Sequence, residues 1–277
     1  MLFRSAPLGW MAQQAHRISG SNLNSRLEIG NATDELATLS ASFNALLSRL
    51  DLSFESMRRF VADASHELRT PLSIIRGEAD VALSHERSAA EYRESLAIIL
   101  DESRRLSRLV DDLLNLARAD AGRVKLQSEE FYLNDLLAEC CRSAQSLAAA
   151  RGIALECRPA EDAPFRGDEE LLRRLVMNLL DNAIRYTLPG GHVSAALEAE
   201  DSRFRIRIAD TGVGISSDAA PHVFERFYRA DTARSRQDGG FGLGLAIVKW
   251  IAESHHGDVA LVTNTGAGST FTVTLPR

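Results

Sequence analysis

A histidine beside a glutamate, in Ser65-His66-Glu67-Leu68-Arg69-Thr70-Pro71, is the first place where residue types and spacing suggest covalent chemistry. A neutral imidazole nitrogen is a competent nucleophile near neutral pH, because its ordinary pKa is about 6.5. The neighbouring Glu67 carboxylate can orient or take up the proton on the other ring nitrogen. Val61, Ala64, Leu68, Leu72, Ile75 and Ala79 form an apolar stripe at helical spacing, and His66 lies off it. Arg69, Thr70 and Ser73 follow His66 at i+3, i+4 and i+7, so the imidazole is predicted to face solvent. Pro71 removes a backbone donor and is predicted to bend the helix one turn later. Taken alone, a His-Glu pair is equally a solvated helical ion pair. A zinc-protease H-E-x-x-H is excluded, since Thr70 replaces its second histidine.

Three further clusters follow. In Asn178-Leu179-Leu180-Asp181-Asn182-Ala183-Ile184-Arg185-Tyr186, the two asparagines share a helix face. Their amide oxygens suit a hard cation such as Mg²⁺, with Arg185 near for phosphate, although such a pair also serves as caps or surface polar residues. In Asp210-Thr211-Gly212-Val213-Gly214-Ile215, the glycines admit close backbone approach and Asp210 offers an acceptor for an exocyclic amine. In Gly239-Gly240-Phe241-Gly242-Leu243-Gly244, glycines run into a helix start, where free N–H groups and the helix dipole attract anions. Neither a Rossmann G-x-G-x-x-G nor a Walker loop is present. Phe224 and Phe227, between the last two clusters, read as a hydrophobic latch under a lid or as a plain core helix.

These residues need elements to hold them. From Leu36, apolar residues at Leu39, Phe43, Leu46, Leu50, Phe54, Met57, Val61, Ala64 and Leu68 alternate by threes and fours, an uninterrupted helix-packing seam. Two steps of four at Leu46–Leu50–Phe54 make a local phase shift, or stutter. A second seam runs through Leu96, Ile99, Ser103, Leu106, Val110, Leu113 and Ala117, with a hairpin turn predicted over Ser84–Ala89. One hairpin cannot bury both seams, so dimerisation into a four-helix bundle is the expected completion. Upstream, a helix from Pro7 to about Ser19, a connector through Gly20-Ser21-Asn22, and Leu23, Leu27 and Ile29 make a small helical unit. Beyond a boundary near Gly122-Arg123, strands at His192–Leu197, Arg203–Ile208 and Thr270–Leu275 mix with helices at Leu133–Ala149, Glu169–Arg185 and Leu243–Ser254. That predicts an α+β layer domain, with Arg234–Gly244 as a mobile loop inside it.

In this order and spacing the clusters resemble the sensor histidine kinases of two-component systems. His66–Pro71 matches that family's H box, HELRTP, letter for letter. Asn178–Tyr186 resembles its N box, Asp210–Ile215 and Gly240–Gly244 its glycine boxes, Phe224–Phe227 its F box, and Pro7–Leu50 a HAMP relay module. The resemblance implies a HAMP module over 1–53, a dimerisation and histidine-phosphotransfer hairpin over 54–122, and an ATP-binding α/β sandwich of the Bergerat type over 123–277. It implies that His66 is the phosphoacceptor, Glu67 its acid/base partner, and Thr70 a residue that positions water during dephosphorylation of the regulator. Asn182 would hold Mg²⁺, with Asn178, Arg185 and Tyr186 around the nucleotide. Asp210 would take the adenine amine, Gly212 and Gly214 would give room to the base, and Gly240, Gly242 and Gly244 would form the phosphate-side lid. The family commonly has Lys where Arg185 stands, which keeps the charge but changes its geometry from a point donor to a planar fork.

The implied activity is autophosphorylation of His66 from Mg-ATP, then transfer to an aspartate in the receiver domain of a separate response regulator, with phosphatase activity toward it. The resemblance extends to gyrase, MutL-type and chaperone ATPases, but those carry a water-activating Glu where Asn178 stands, and they lack an H box. A non-catalytic scaffold is the other alternative, opposed by a full set of nucleotide-site residue types.

Composition agrees with this assignment. In 277 residues, 45% hydrophobic and 25% charged content is ordinary for globular domains, and a net charge of −6 argues against nonspecific nucleic-acid binding. Cys140, Cys141 and Cys157 have neither metal-ligand nor disulfide-framework spacing, which fits a reducing compartment. No stretch reaches the roughly 18 apolar residues that cross a bilayer. Met1-Leu2-Phe3-Arg4 fits either the cytoplasmic end of a deleted membrane helix or an ordinary ragged N-terminus. The resemblance implies the cytoplasmic portion of a plasma-membrane homodimer, this fragment itself soluble.

Overall fold

The computed structural model describes residue 26 and residues 34–120, 126–229 and 240–277. The expected Pro7–Ser19 helix, the Gly20–Ile29 connector, the Gly122-Arg123 boundary and the 234–239 part of the Gly-rich stretch lie outside these residues.

Helix α1 spans Asp34–Ser84 without interruption, as the unbroken seam requires, and it continues past Pro71. A proline in a helix interior leaves one carbonyl unbonded but does not by itself end the helix. The turn is where the polar run predicts it, and α2 covers Ala89–Asp120. Its start is a reciprocal capping box. The Glu91 carboxylate accepts from the Ser88 backbone N–H and hydroxyl, both at 2.8 Å, while Ser88 Oγ accepts from Glu91 N at 3.3 Å. The Ser88 N–H, chiefly, holds the Glu91 carboxyl below its usual value.

Among the described residues, much of the apolar seam is uncovered: Leu39, Leu50, Val61, Leu72, Leu96 and Val110 are all exposed, Leu96 by 64%. A different stripe of α2 is buried instead: Leu109 and Leu116, at 0% and 1% exposure, belong to the core of the following domain.

That domain is a two-layer α/β arrangement. After β1 (Glu129–Tyr132) come α3 (Leu133–Ala150), β2 (Ala154–Arg158), β3 (Pro164–Gly167), α4 (Glu169–Tyr186), β4 (His192–Ala199) and β5 (Arg203–Asp210). A short 3₁₀ turn at Ala220–His222, α5 (Gly244–Ser254), β6 (Asp258–Asn264) and β7 (Gly268–Pro276) complete it. Five strands pair in the order β2-β4-β5-β7-β6, parallel only at β2–β4, while β1 and β3 form a separate antiparallel pair.

Alternation fixes which face is covered. Val193, Ala195, Leu197, Phe204, Ile206, Ile208, Phe271, Val273 and Leu275 point into the helix layer. Arg205 and Arg207 point the other way and pair with Glu200 and Glu198 at 2.6 and 3.3 Å. The helices answer with Leu172, Leu175, Val176 and Leu179 of α4 and Ile247, Val248 and Ile251 of α5, all fully buried. Central β5 lies at the middle of this core, and its last residue is Asp210.

Candidate active site

His66 stands out from α1 with its side chain 73% exposed. Its Nδ1 lies 3.7 Å from Glu67 Oε1, and a proton held on Nδ1 by this carboxylate makes Nε2 the nitrogen with the lone pair. Arg69, Thr70 and Ser73 are exposed as well, and Pro71 is buried.

The second centre is built around α4. Asp168 starts this helix: its Oδ1 accepts from Leu171 N at 3.0 Å, and its Oδ2 accepts from Gln127 N at 2.9 Å. The Asp168 N–H donates to Nε2 of buried His255 at 3.0 Å, and His255 Nδ1 donates to Ile251 O at 2.8 Å. Burial holds His255 below the ordinary histidine value, so it stays neutral and keeps both roles. Residues from 127, 168 and 255 thus lock α4 against α5. Sequence spacing gave no sign of this, because the partners are far apart in the chain.

The face of α4 so fixed carries the predicted polar residues. Asn178 Nδ2 is buried and has no hydrogen-bond partner, and the Asn182 side chain makes no hydrogen bond among the described residues. An orphaned buried amide costs on the order of 1–3 kcal/mol unless something outside the chain satisfies it. Arg185 pairs with Asp181 at 3.0 Å and aims at the glycine cradle, its Nη1 only 2.4 Å from where a Gly240 side chain would begin. A side chain on Gly244 would begin 3.6 Å from Asn178 Oδ1, which is ordinary contact. Tyr186 contributes backbone rather than its exposed ring: its carbonyl accepts from Val213 N at 3.2 Å.

The same carbonyl explains Gly212, whose Cβ would fall 2.3 Å from Tyr186 O. Gly214 is as tightly placed, with a would-be Cβ 2.0 Å from Asn264 O. Both glycines therefore admit other parts of the chain itself. Asp210 Oδ1 accepts from Gly212 N at 2.8 Å and Ser269 N at 3.3 Å. Its Oδ2 takes no hydrogen bond among the described residues. Burial, opposed by those two N–H donors, pushes the Asp210 carboxyl above its usual value.

The cradle comes next. Gly242 adopts φ +72° and accepts from Phe227 N at 2.9 Å, and a Cβ there would meet the Phe227 backbone at 2.8 Å. Phe224 packs edge-on to Phe271 at 6.2 Å. The Phe224–Phe227 segment thus forms turns beneath the cradle, and of its two readings the core helix is absent. No side chain caps the first turn of α5, so its N–H groups are available to an anion. The structure brings Asn178, Asn182, Arg185, the Tyr186 carbonyl, Asp210, Gly212, Gly240, Gly242 and Gly244 around α4, while His66 and Glu67 pair on α1.

Family comparisons agree with this geometry. Residues 167–277 match the histidine kinase-, DNA gyrase B- and HSP90-like ATPase family, 56–122 the His Kinase A (phospho-acceptor) domain, and 5–51 the HAMP domain. The chain is 34% identical over 272 residues to the sensor histidine kinase CusS of Escherichia coli O157:H7, covering 98% of this chain and 56% of that protein. It is 35% identical over 270 residues to the sensor protein CzcS of Cupriavidus metallidurans, again covering 98% and 56%. The chain therefore spans a little over half the length of these curated relatives. Among solved structures, full-length ShkA in complex with AMPPNP aligns with a TM-score of 0.59 at 28% identity, over 79% of this chain and 45% of that one. Histidine kinase ThkA in complex with response regulator protein TrrA shares the fold, with a TM-score of 0.64 at 23% identity over 90% of this chain and 68% of that one. With an exposed histidine in the phosphoacceptor motif, an orphaned Asn178 amide beside a glycine-lined cradle, and these relatives along nearly its whole length, the chain belongs to the two-component sensor histidine kinases.

Proposed function

We propose that the chain is the kinase core of a membrane sensor, transferring the γ-phosphoryl group of ATP to Nε2 of His66 and then to an aspartate of a response regulator. The observation that carries this reading is the exposed His66 ring with Glu67 3.7 Å from Nδ1. In the transfer, the Nε2 lone pair attacks phosphorus, the bond to the bridging oxygen breaks, and ADP leaves with the electron pair. The ring becomes cationic, and Glu67 stabilises or accepts the Nδ1 proton.

The cradle fits ATP as donor. Asp210 Oδ2 accepts the adenine amine, and Arg185 with the first-turn N–H groups of α5 meets phosphate charge. Unpartnered Asn178 and Asn182 place amide oxygens beside them, and Asn182 would hold Mg²⁺. The metal would neutralise phosphate charge during transfer. Thr70, exposed on α1, would position water when the regulator is dephosphorylated. The exposed seam residues support a homodimer, and ThkA with its bound regulator offers the analogy for the second transfer. We assign the relay module to 1–53, the hairpin to 54–122 and the ATP-binding domain to 123–277, in the cytoplasmic portion of a plasma-membrane protein. Asn178 stands where a water-activating carboxylate would be needed, which disfavours an ATPase.

Incubation with γ-labelled ATP and Mg²⁺ tests the reading. The parent chain should take up an acid-labile, alkali-stable label, and His66→Gln and Asn182→Ala should take up none. Persistent labelling of His66→Gln would remove His66 from its role.

A further inference from the structure

Between the nucleotide cradle and α2 lies a contact that neither the motifs nor the transfer chemistry requires. Arg105 places its guanidinium carbon 4.9 Å from the centre of the Phe241 ring. Phe241 has a glycine on each side, Gly240 facing Arg185 and Gly242 locked onto the Phe227 backbone. Gly242 and buried Leu243 anchor the C-terminal side of this segment, and on its N-terminal side the Phe241 ring is the side chain through which Arg105 can hold the backbone. Seven residues on, Asp112 of the same α2 face is hydrogen-bonded to Arg174 Nη2. Arg174 is one turn before Asn178 on α4. Leu109 and Leu116 complete the stripe at i+4 and i+11 from Arg105 and are fully buried. The α2 helix therefore braces both walls of the phosphate end at once, the glycine segment through Arg105 and α4 through Asp112.

The brace is not a permanent weld. Glu102 sits 3.6 Å from Arg105, yet Glu102 Oε2 and Arg105 Nε are buried without hydrogen-bond partners. Such half-satisfied polar contacts are costly, so undocking α2 would let water satisfy them. Burial, opposed by the Arg174 guanidinium, raises the Asp112 carboxyl above its usual value.

We propose that Arg105 is a positioning residue for the nucleotide site: by holding Phe241 it preorganises the Gly240–Gly244 cradle, so nucleotide affinity depends on the docking of α2. By linkage, bound nucleotide in turn strengthens that docking. The inference rests on the cradle being the nucleotide site.

The test measures binding of a non-hydrolysable ATP analogue with Mg²⁺ to the full chain and to Arg105→Gln, Arg105→Lys, Phe241→Leu and the Arg105→Gln/Phe241→Leu double variant. Arg105→Gln should weaken binding about fivefold or more, although Arg105 lies on the hairpin. Arg105→Lys, which keeps a cation over the ring, should restore most of the loss. Phe241→Leu should weaken binding similarly, and the double variant should be no weaker than either single one. Parent-like or tighter binding by Arg105→Gln, or additive losses, would overturn the proposal. If the parent binds no analogue, the kinase reading fails first. Hydrogen exchange of the 242–246 amides in the nucleotide-free chain then decides this proposal. Faster exchange in Arg105→Gln than in parent and Arg105→Lys sustains it; equal exchange sinks it.

Discussion

The two halves of the molecule treat their apolar residues in opposite ways. In the α/β domain, inward residues of β4, β5 and β7 meet α4 and α5, and Phe204, Ile206, Leu175 and Ile251 have no exposed surface. In the hairpin, seam residues of the same chemical type remain open: Val61 is 55% exposed, Leu72 57% and Leu96 64%. A sheet with helices laid on one face is complete within one chain, whereas two antiparallel helices offer more apolar stripe than they can cover for each other. The contrast teaches that periodicity reports a need for burial but not the partner. On α2 both outcomes occur one residue apart, with Leu109 buried in the neighbouring domain and Val110 exposed.

The contrast can be broken from either side. The largest effect is expected from Phe204→Ala, which empties a fully buried aromatic site in the central strand and should cost about 3–5 kcal/mol. The thermal unfolding midpoint of the α/β domain, with the α2 stripe docked in its core, should drop by many degrees; an unchanged midpoint would remove Phe204 as a main support of that core. Next comes Leu72→Glu combined with Leu96→Glu, which places charge on the open seam. The dimer dissociation constant should rise at least about tenfold, or about 1.4 kcal/mol, by sedimentation, with α/β-domain unfolding unchanged. An unaltered dimer would place the subunit contact elsewhere.

The smallest effect concerns acid. His255 is held below its ordinary value, chiefly by burial, so its neutral form contributes stability that is fully present above the unfolded histidine pKa, about 6.5. That stability declines as pH falls from there through the folded value, because protonated Nε2 no longer accepts from Asp168 N. Unfolding midpoints measured from pH 7.5 downward should show this loss in the parent and a weaker slope in His255→Gln. Identical slopes would remove His255 as the cause.

Much of the architecture was legible because its rules are local. Unbroken three–four spacing foretold a helix through Leu68, and Ser88 with Glu91 closed the predicted turn. Alternation located β4, β5 and β7. Strands β1, β2, β3 and β6 were not foreseen; β1 and β3 are four residues each, and β2 and β6 are edge strands with little alternation. In the site, Asn178, Asp210 and the cradle glycines were recognisable by type, but their mechanical duties were not. Gly212 avoids the Tyr186 carbonyl, Asp168 answers to His255, and Arg105 reaches Phe241, all through contacts between distant parts of the chain.

Strand β7 lies between β5 and β6. Its pairing with β5 joins Arg203 to Pro276 and Asp210 to Ser269, so the central strand has only one neighbour until residues near 276 exist. During synthesis from the N-terminus, the β4–β5 ribbon therefore emerges with α4 already made but with one edge of β5 unpaired and the part of its apolar face that α5 covers still open. The nascent α/β domain is thus vulnerable to misassociation until β7 arrives, and Ser269, which donates to Asp210, comes with that strand.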